Sequence, residues 1–76
     1  MSTFLSIRTS EGYKNLALSR VIDLEVDYDV LKYSISGHQR FAYRVRYYNM
    51  GEYITYYTDL ENYLLLKSRI DGEMNN

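Results

Sequence analysis

The sequence predicts an α+β domain: an antiparallel, meander-like sheet of four to five strands with one C-terminal α-helix packed on one face. Three observations predict it. Apolar and polar residues alternate with a period of two from Val21 to Tyr28 and again through Phe41 to Tyr57. The second stretch is broken only at Asn49-Met50-Gly51, a turn sequence. After Thr58 the apolar period lengthens to that of a helix. Side chains alternate between faces on a strand and recur every three to four residues on a helix, so this change of period marks a change of element.

At 76 residues the chain reads as one domain, 1–76, with no linker, repeat or low-complexity tract. Its elements are taken in order. Thr3 to Thr9 reads as the first strand (3–9), with Leu5 and Ile7 inward and Ser6 and Arg8 outward. Ser10-Glu11-Gly12 carries turn residues. Tyr13 to Ser19 suits a short strand or an extended crossing segment, with a short helix through Ala17 as the lesser reading. In the strand 21–28, Ile22, Leu24, Val26 and Tyr28 point inward, and Asp23, Glu25 and Asp27 point outward. A tight turn at Tyr28-Asp29 leads to a strand 31–36, with Leu31, Tyr33 and Ile35 inward. Ser36 to Gln39 is then a polar loop.

The strands 41–48 and 52–57 form a hairpin around which the rest is arranged. Phe41, Tyr43, Val45 and Tyr47 make one apolar face, and Arg44, Arg46 and Tyr48 the other. Two registers are open. A three-residue loop puts Tyr53, Thr55 and Tyr57 on the Val45 face, while a four-residue loop puts Ile54 and Tyr56 there. A one-residue slip exchanges every side chain between faces. The second register is favoured because it buries Ile54 with Val45. The helix 59–71 opens on a capping box, Thr58 as N-cap with Glu61 reaching back, and ends at Gly72. Leu60, Tyr63, Leu64, Leu66 and Ile70 form its inward stripe, and Leu65 lies opposite.

Composition excludes several functions. With no cysteine there are no disulfides or thiolate metal sites, and one histidine cannot form a zinc cluster. A chain this short has a small core, so a partner subunit is the expected staple and a homodimer is expected. A net charge of −1 gives no global pull toward nucleic acid or membrane. The N-terminus has no basic-then-apolar signal pattern, and no apolar run nears the roughly 20 residues that cross a bilayer. A soluble, cytoplasmic protein is expected, in the host cell cytoplasm if the protein is viral.

No catalytic constellation emerges. His38 sits in a polar loop without a nucleophile signature, and the serines have no matching base. The sequence lacks phosphate-loop and metalloprotease motifs. Asp23, Glu25, Asp27 and Asp29 lie roughly 7 Å apart along one strand face, too far to share one cation easily. No enzyme, no cofactor and no metal site are expected.

Ten of the twelve aromatic residues are tyrosine. Tyrosine offers large contact area at low entropy cost and keeps a polar tip. A partner-binding face is therefore placed on Arg44, Arg46, Tyr48, Tyr53 and Tyr57, with Arg40 beside it. A second contact, to another copy or partner, is placed on Leu65 and the acidic residues Asp23, Glu25 and Asp27. If the acidic and basic strands are neighbours, those charges pair within the sheet instead.

Several strands followed by one C-terminal helix resembles, in layout, the single-strand-binding repeats of the Pur-alpha type. It also looks like small phage and mobile-element proteins, anti-CRISPR inhibitors among them. The resemblance covers the layout and carries over no functional residue. Three functions are compatible: a self-associating, non-enzymatic protein-binding module, with inhibition of a host protein as one form of it; a single-strand nucleic-acid binder on the Arg/Tyr face; or a small structural subunit.

Overall fold

The computed structural model describes residues 3–33 and 41–74. Arg40, His38 and the predicted loop 36–39 lie outside the described residues. Five strands make one sheet: β1 (Phe4–Thr9), β2 (Gly12–Ala17), β3 (Val21–Val26), β4 (Tyr43–Asn49) and β5 (Glu52–Thr58). A 3-10 turn, Leu18–Arg20, joins β2 to β3, and a short helix α1 (Tyr28–Tyr33) follows β3. The C-terminal helix α2 spans Leu60–Met74. All strand pairs are antiparallel and the spatial order is β2-β1-β5-β4-β3.

This order combines a meander, β3-β4-β5, with a separate hairpin, β1-β2. The two parts join at a single pair, Thr9 with Thr58. There Ser10 N donates to Tyr57 O at 2.9 Å, and Thr58 Oγ1 donates to Arg8 O. Both threonines are buried.

The connection from β2 to β3 sets the shape. These strands are opposite edges of the sheet, which in a flat sheet would lie about 19 Å apart. The four Cα steps from Ala17 to Val21 span about 15 Å at most. The sheet must therefore curl until one end of β2 meets β3. Tyr47 on β4 shows the closure directly: its hydroxyl accepts a hydrogen bond from Ala17 N at 2.9 Å, in a buried setting.

Inside the curl sit Ile7, Leu16, Leu18, Val45, Tyr47 and Leu66, with Leu5, Val21, Leu24, Tyr56 and Ile70 packed around them. Leu66 of α2 is fully buried, so the helix plugs the open side of the curl. Tyr63 of α2 lies against Tyr43, ring centroids 4.8 Å apart. Burying aromatic and branched side chains here supplies most of the stability available to a domain this small.

The hairpin adopts the favoured register: Val45 faces Tyr56, and Tyr47 faces Ile54. Pairing runs on to Asn49 and Glu52, so the loop is only Met50-Gly51, tighter than the sequence suggested. β4 starts at Tyr43 rather than Phe41, after Ala42 has accepted a hydrogen bond from Asp27 N at 2.7 Å.

Five expectations are corrected. The strand 21–28 ends at Val26 and carries a bulge at Ile22, where Val21 pairs with Tyr47 and Asp23 with Arg46. The extra residue shifts the phase, so Val21 takes the inward place and Ile22 is exposed. Tyr28 is exposed as well.

The strand 31–36 is not formed over its described part, because Leu31 to Tyr33 belong to α1. Asp27 Oδ1 accepts from Val30 N at 3.2 Å, and Asp27 O from Leu31 N at 3.1 Å. That N-cap outweighs an alternation only three apolar residues long. Residues 34–36 lie outside the described residues.

The cap of α2 is Asp59 rather than Thr58: Asp59 Oδ1 accepts from Asn62 N at 2.9 Å. Thr58 is held in the sheet and unavailable. The helix also continues past Gly72 to Met74. Finally, Leu60 and Leu64 are exposed, because only the strip Tyr63-Leu66-Ile70 meets the sheet.

Tyr47→Phe isolates the closing bond with little change in volume. It leaves the Ala17 amide unpaired, so urea denaturation is expected to show a loss of about 1–2 kcal/mol with an unchanged m-value. Tyr48→Phe, on the exposed face, should shift the midpoint by less than about 0.5 kcal/mol.

Candidate interaction surface

The outer face of β3-β4-β5 is built as cross-strand rows. One row is Glu25, Arg44 and Tyr57; the next is Asp23, Arg46 and Thr55; the last is Tyr48 and Tyr53. The structure thus brings together Arg44, Arg46, Tyr48, Tyr53 and Tyr57, as their alternation predicts. It also puts Asp23 and Glu25 on the same face, the arrangement expected if the acidic and basic strands are neighbours.

The charges pair across strands. Arg44 Nη2 meets Glu25 Oε2 at 2.9 Å, and Arg46 Nη1 meets Asp23 Oδ2 at 2.9 Å. Each bridge uses one nitrogen and one oxygen, leaving Arg44 Nε and Asp23 Oδ1 sheltered without a hydrogen-bond partner. The four side chains keep between 35% and 50% of their exposure, so each bridge contributes little, about 0.2–1 kcal/mol. Their main effect is on the field: the two arginines present a locally neutral surface rather than a basic one.

Asp27 leaves this face by capping α1. Leu65 lies on α2, apart from these rows, and is exposed.

The last row continues into the hairpin tip. Tyr48 and Tyr53 face each other across the strands, centroids 5.2 Å apart, and Tyr53 is 73% exposed. Beyond them Met50 is 88% exposed. Met50 has φ +50° and Gly51 φ +85°, the pair of positive values that a type I′ hairpin turn requires. Glycine takes such a conformation freely; methionine does so at a cost of about 1–2 kcal/mol. The Arg20 guanidinium donates to Asn49 Oδ1 at 3.3 Å, tying the base of the tip to the 3-10 turn.

Sequence reasoning missed Met50. It reads as an ordinary loop residue until the two-residue loop places it in the left-handed region. A flexible thioether beside two tyrosines makes an adaptable apolar contact surface.

A concavity of about 250 Å³ lies between β3 and α2, walled by Val21, Ile22, Asp23, Leu24, Tyr63 and Ile70, with Lys67 and Asp71 on the helix side. It falls below the roughly 300–1,000 Å³ of typical small-molecule sites. Among the described residues no group of three or more histidine, cysteine or acidic side chains could hold a metal ion. Among them, too, no helix is long and apolar enough to cross a membrane.

A scan of protein-family models and searches of curated proteins and of solved structures found no match to this chain.

The strain at Met50 has a measurable consequence. Met50→Asn, which suits the left-handed region, is expected to raise stability by about 0.5–1 kcal/mol in thermal or urea unfolding. A loss of stability would show that the methionine side chain is held by contacts within the chain.

Proposed function

We propose that this protein is a non-enzymatic binding module that grips another protein with the tip and outer face of the β4-β5 hairpin. One observation carries the reading: an exposed methionine at a strained backbone position, flanked by an exposed tyrosine pair. Asparagine or glycine would fit that turn better, so stability does not account for the methionine. Strain kept at an exposed apolar tip is what a contact surface would require.

The tyrosines supply anchors, and Arg44, Arg46 and Tyr57 extend the face along the strands. Interface anchors of this kind lose at least about 2 kcal/mol of binding when truncated. A small domain gripping in this way acts by covering a surface of a larger protein, and inhibition is the mode we favour. The phage or mobile-element setting suggested by the layout fits that mode.

Single-strand nucleic-acid binding on the same face is the less favoured reading. Both of its arginines already hold carboxylates, and a phosphate backbone would have to displace them. Assembly as a small structural subunit rests on no particular feature of this surface.

Capture from lysate of the native host with the immobilised full chain tests the reading. The expected result is one or a few proteins retained by wild type and by Tyr13→Ala, an equally exposed tyrosine on β2. They should be lost with Tyr48→Ala/Tyr53→Ala and weakened by Met50→Asn. The same proteins retained by every variant would place the contact elsewhere. Labelled single strands binding tightly at low salt, and released as salt rises, would favour nucleic acid instead.

A further inference from the structure

We infer that the outer face of α2 is a self-association surface, which pairs antiparallel with the same helix of a second copy. This goes beyond the reading above, through an element the hairpin does not use, and gives a surface to the self-association expected of so short a chain. Four observations converge on it.

The first is apolar exposure. Of the four leucines on α2 only Leu66 is buried; Leu60, Leu64 and Leu65 are 50%, 52% and 41% exposed. Leu64 and Leu65 flank the direction pointing straight away from the sheet, since Leu66 and Ile70 point into it.

The second is the charge pattern. Glu61, Leu65 and Arg69 recur at intervals of four and make one stripe, with Leu65 midway between opposite charges. Among the described residues neither Glu61 nor Arg69 forms an ion pair. Each lies about 6 Å along the axis from Leu65.

That stripe is self-complementary in one orientation only. With a two-fold axis at Leu65 and the helices antiparallel, Glu61 of each copy meets Arg69 of the other. A parallel pair would set like charges opposite each other. Antiparallel packing also aligns the helix dipoles favourably, and a two-fold contact of this kind closes on itself as a dimer.

The third observation is Ser68, a small exposed residue between the leucines on the outward side. The fourth is Gly72. A Cβ built there would meet nothing within 4 Å, so no contact among the described residues demands glycine. The helix continues past it, so it does not serve as a terminator. Glycine is a poor helix former, and here it leaves the end of the outward face without a side chain.

The face is modest. A helix about 22 Å long offers far less than the roughly 800 Å² per partner of a standard interface. The dimer is therefore weak, with a dissociation constant in the micromolar range or above.

Sedimentation equilibrium of the full chain, over a concentration series up to about 1 mM, tests the inference. Wild type is expected to fit a monomer–dimer equilibrium. Leu65→Glu should raise the dissociation constant at least about tenfold, and Glu61→Arg and Arg69→Glu should each raise it too. The double variant Glu61→Arg/Arg69→Glu should return it to near the wild-type value, because the antiparallel pairing is then restored with its signs exchanged. All three positions are exposed, and far-UV circular dichroism checks that each variant is folded. Tyr48→Ala/Tyr53→Ala should leave the dimer unchanged, which separates this inference from the hairpin reading. A strictly monomeric wild type, a dimer indifferent to Leu65→Glu, or a double variant no better than the single ones would overturn it.

Discussion

The hydrogen bond from the Ala17 amide to the Tyr47 hydroxyl is the contact on which the rest of the structure depends. It joins an edge strand to a central strand of the same sheet, which only a curled sheet allows. The three-residue link between β2 and β3 demands the curl, and the Tyr47 ring fills the space it creates. α2 can then cover the open side with one buried leucine and two partly buried side chains, Tyr63 and Ile70. A core of so few residues leaves little stability in reserve. That sharpens the contrast with Met50, where a residue other than glycine holds a left-handed backbone conformation.

Much of this was legible in the alternation of residues. The hairpin register followed from burying Ile54 with Val45, because a one-residue slip would have exchanged the faces. The same alternation left Arg44, Arg46, Tyr48, Tyr53 and Tyr57 on one outer face. The helix was visible in the change of period after Thr58. What was hidden depends on contacts distant in sequence. The bulge at Ile22 leaves no local sign, because β3 adjusts to the twist of β4. β1 joins β5 at one corner through two buried threonines, a pairing that no hydrophobic pattern announces. α1 arises from a single aspartate cap acting on a short, ambiguous run.

The helix shows a different limit. Leu60, Tyr63, Leu64, Leu66 and Ile70 cover a broad arc that the helical period presents as one inward stripe. The curled sheet offers a narrow seat, and only the middle of the arc reaches it. The leucines on one side are left in solvent, where they join Leu65 instead of the core. The same geometry determines what the charges do. Because β3 and β4 are neighbours, Asp23 and Glu25 neutralise Arg46 and Arg44, and the surface is left to its tyrosines. Fold and surface character therefore share one origin, the order of the strands in the sheet.

Amide hydrogen exchange at Ala17 tests that closure most directly. Leu18 N donates back to Thr3 O on the β1 side, so by alternation the Ala17 amide points off the free edge of β2. In a curled sheet it should be protected to nearly the same degree as the amides of central β4. Exchange as fast as at Tyr13 and Asn15, which face outward along the same edge, would mean that β2 does not meet β4 and that the sheet is open.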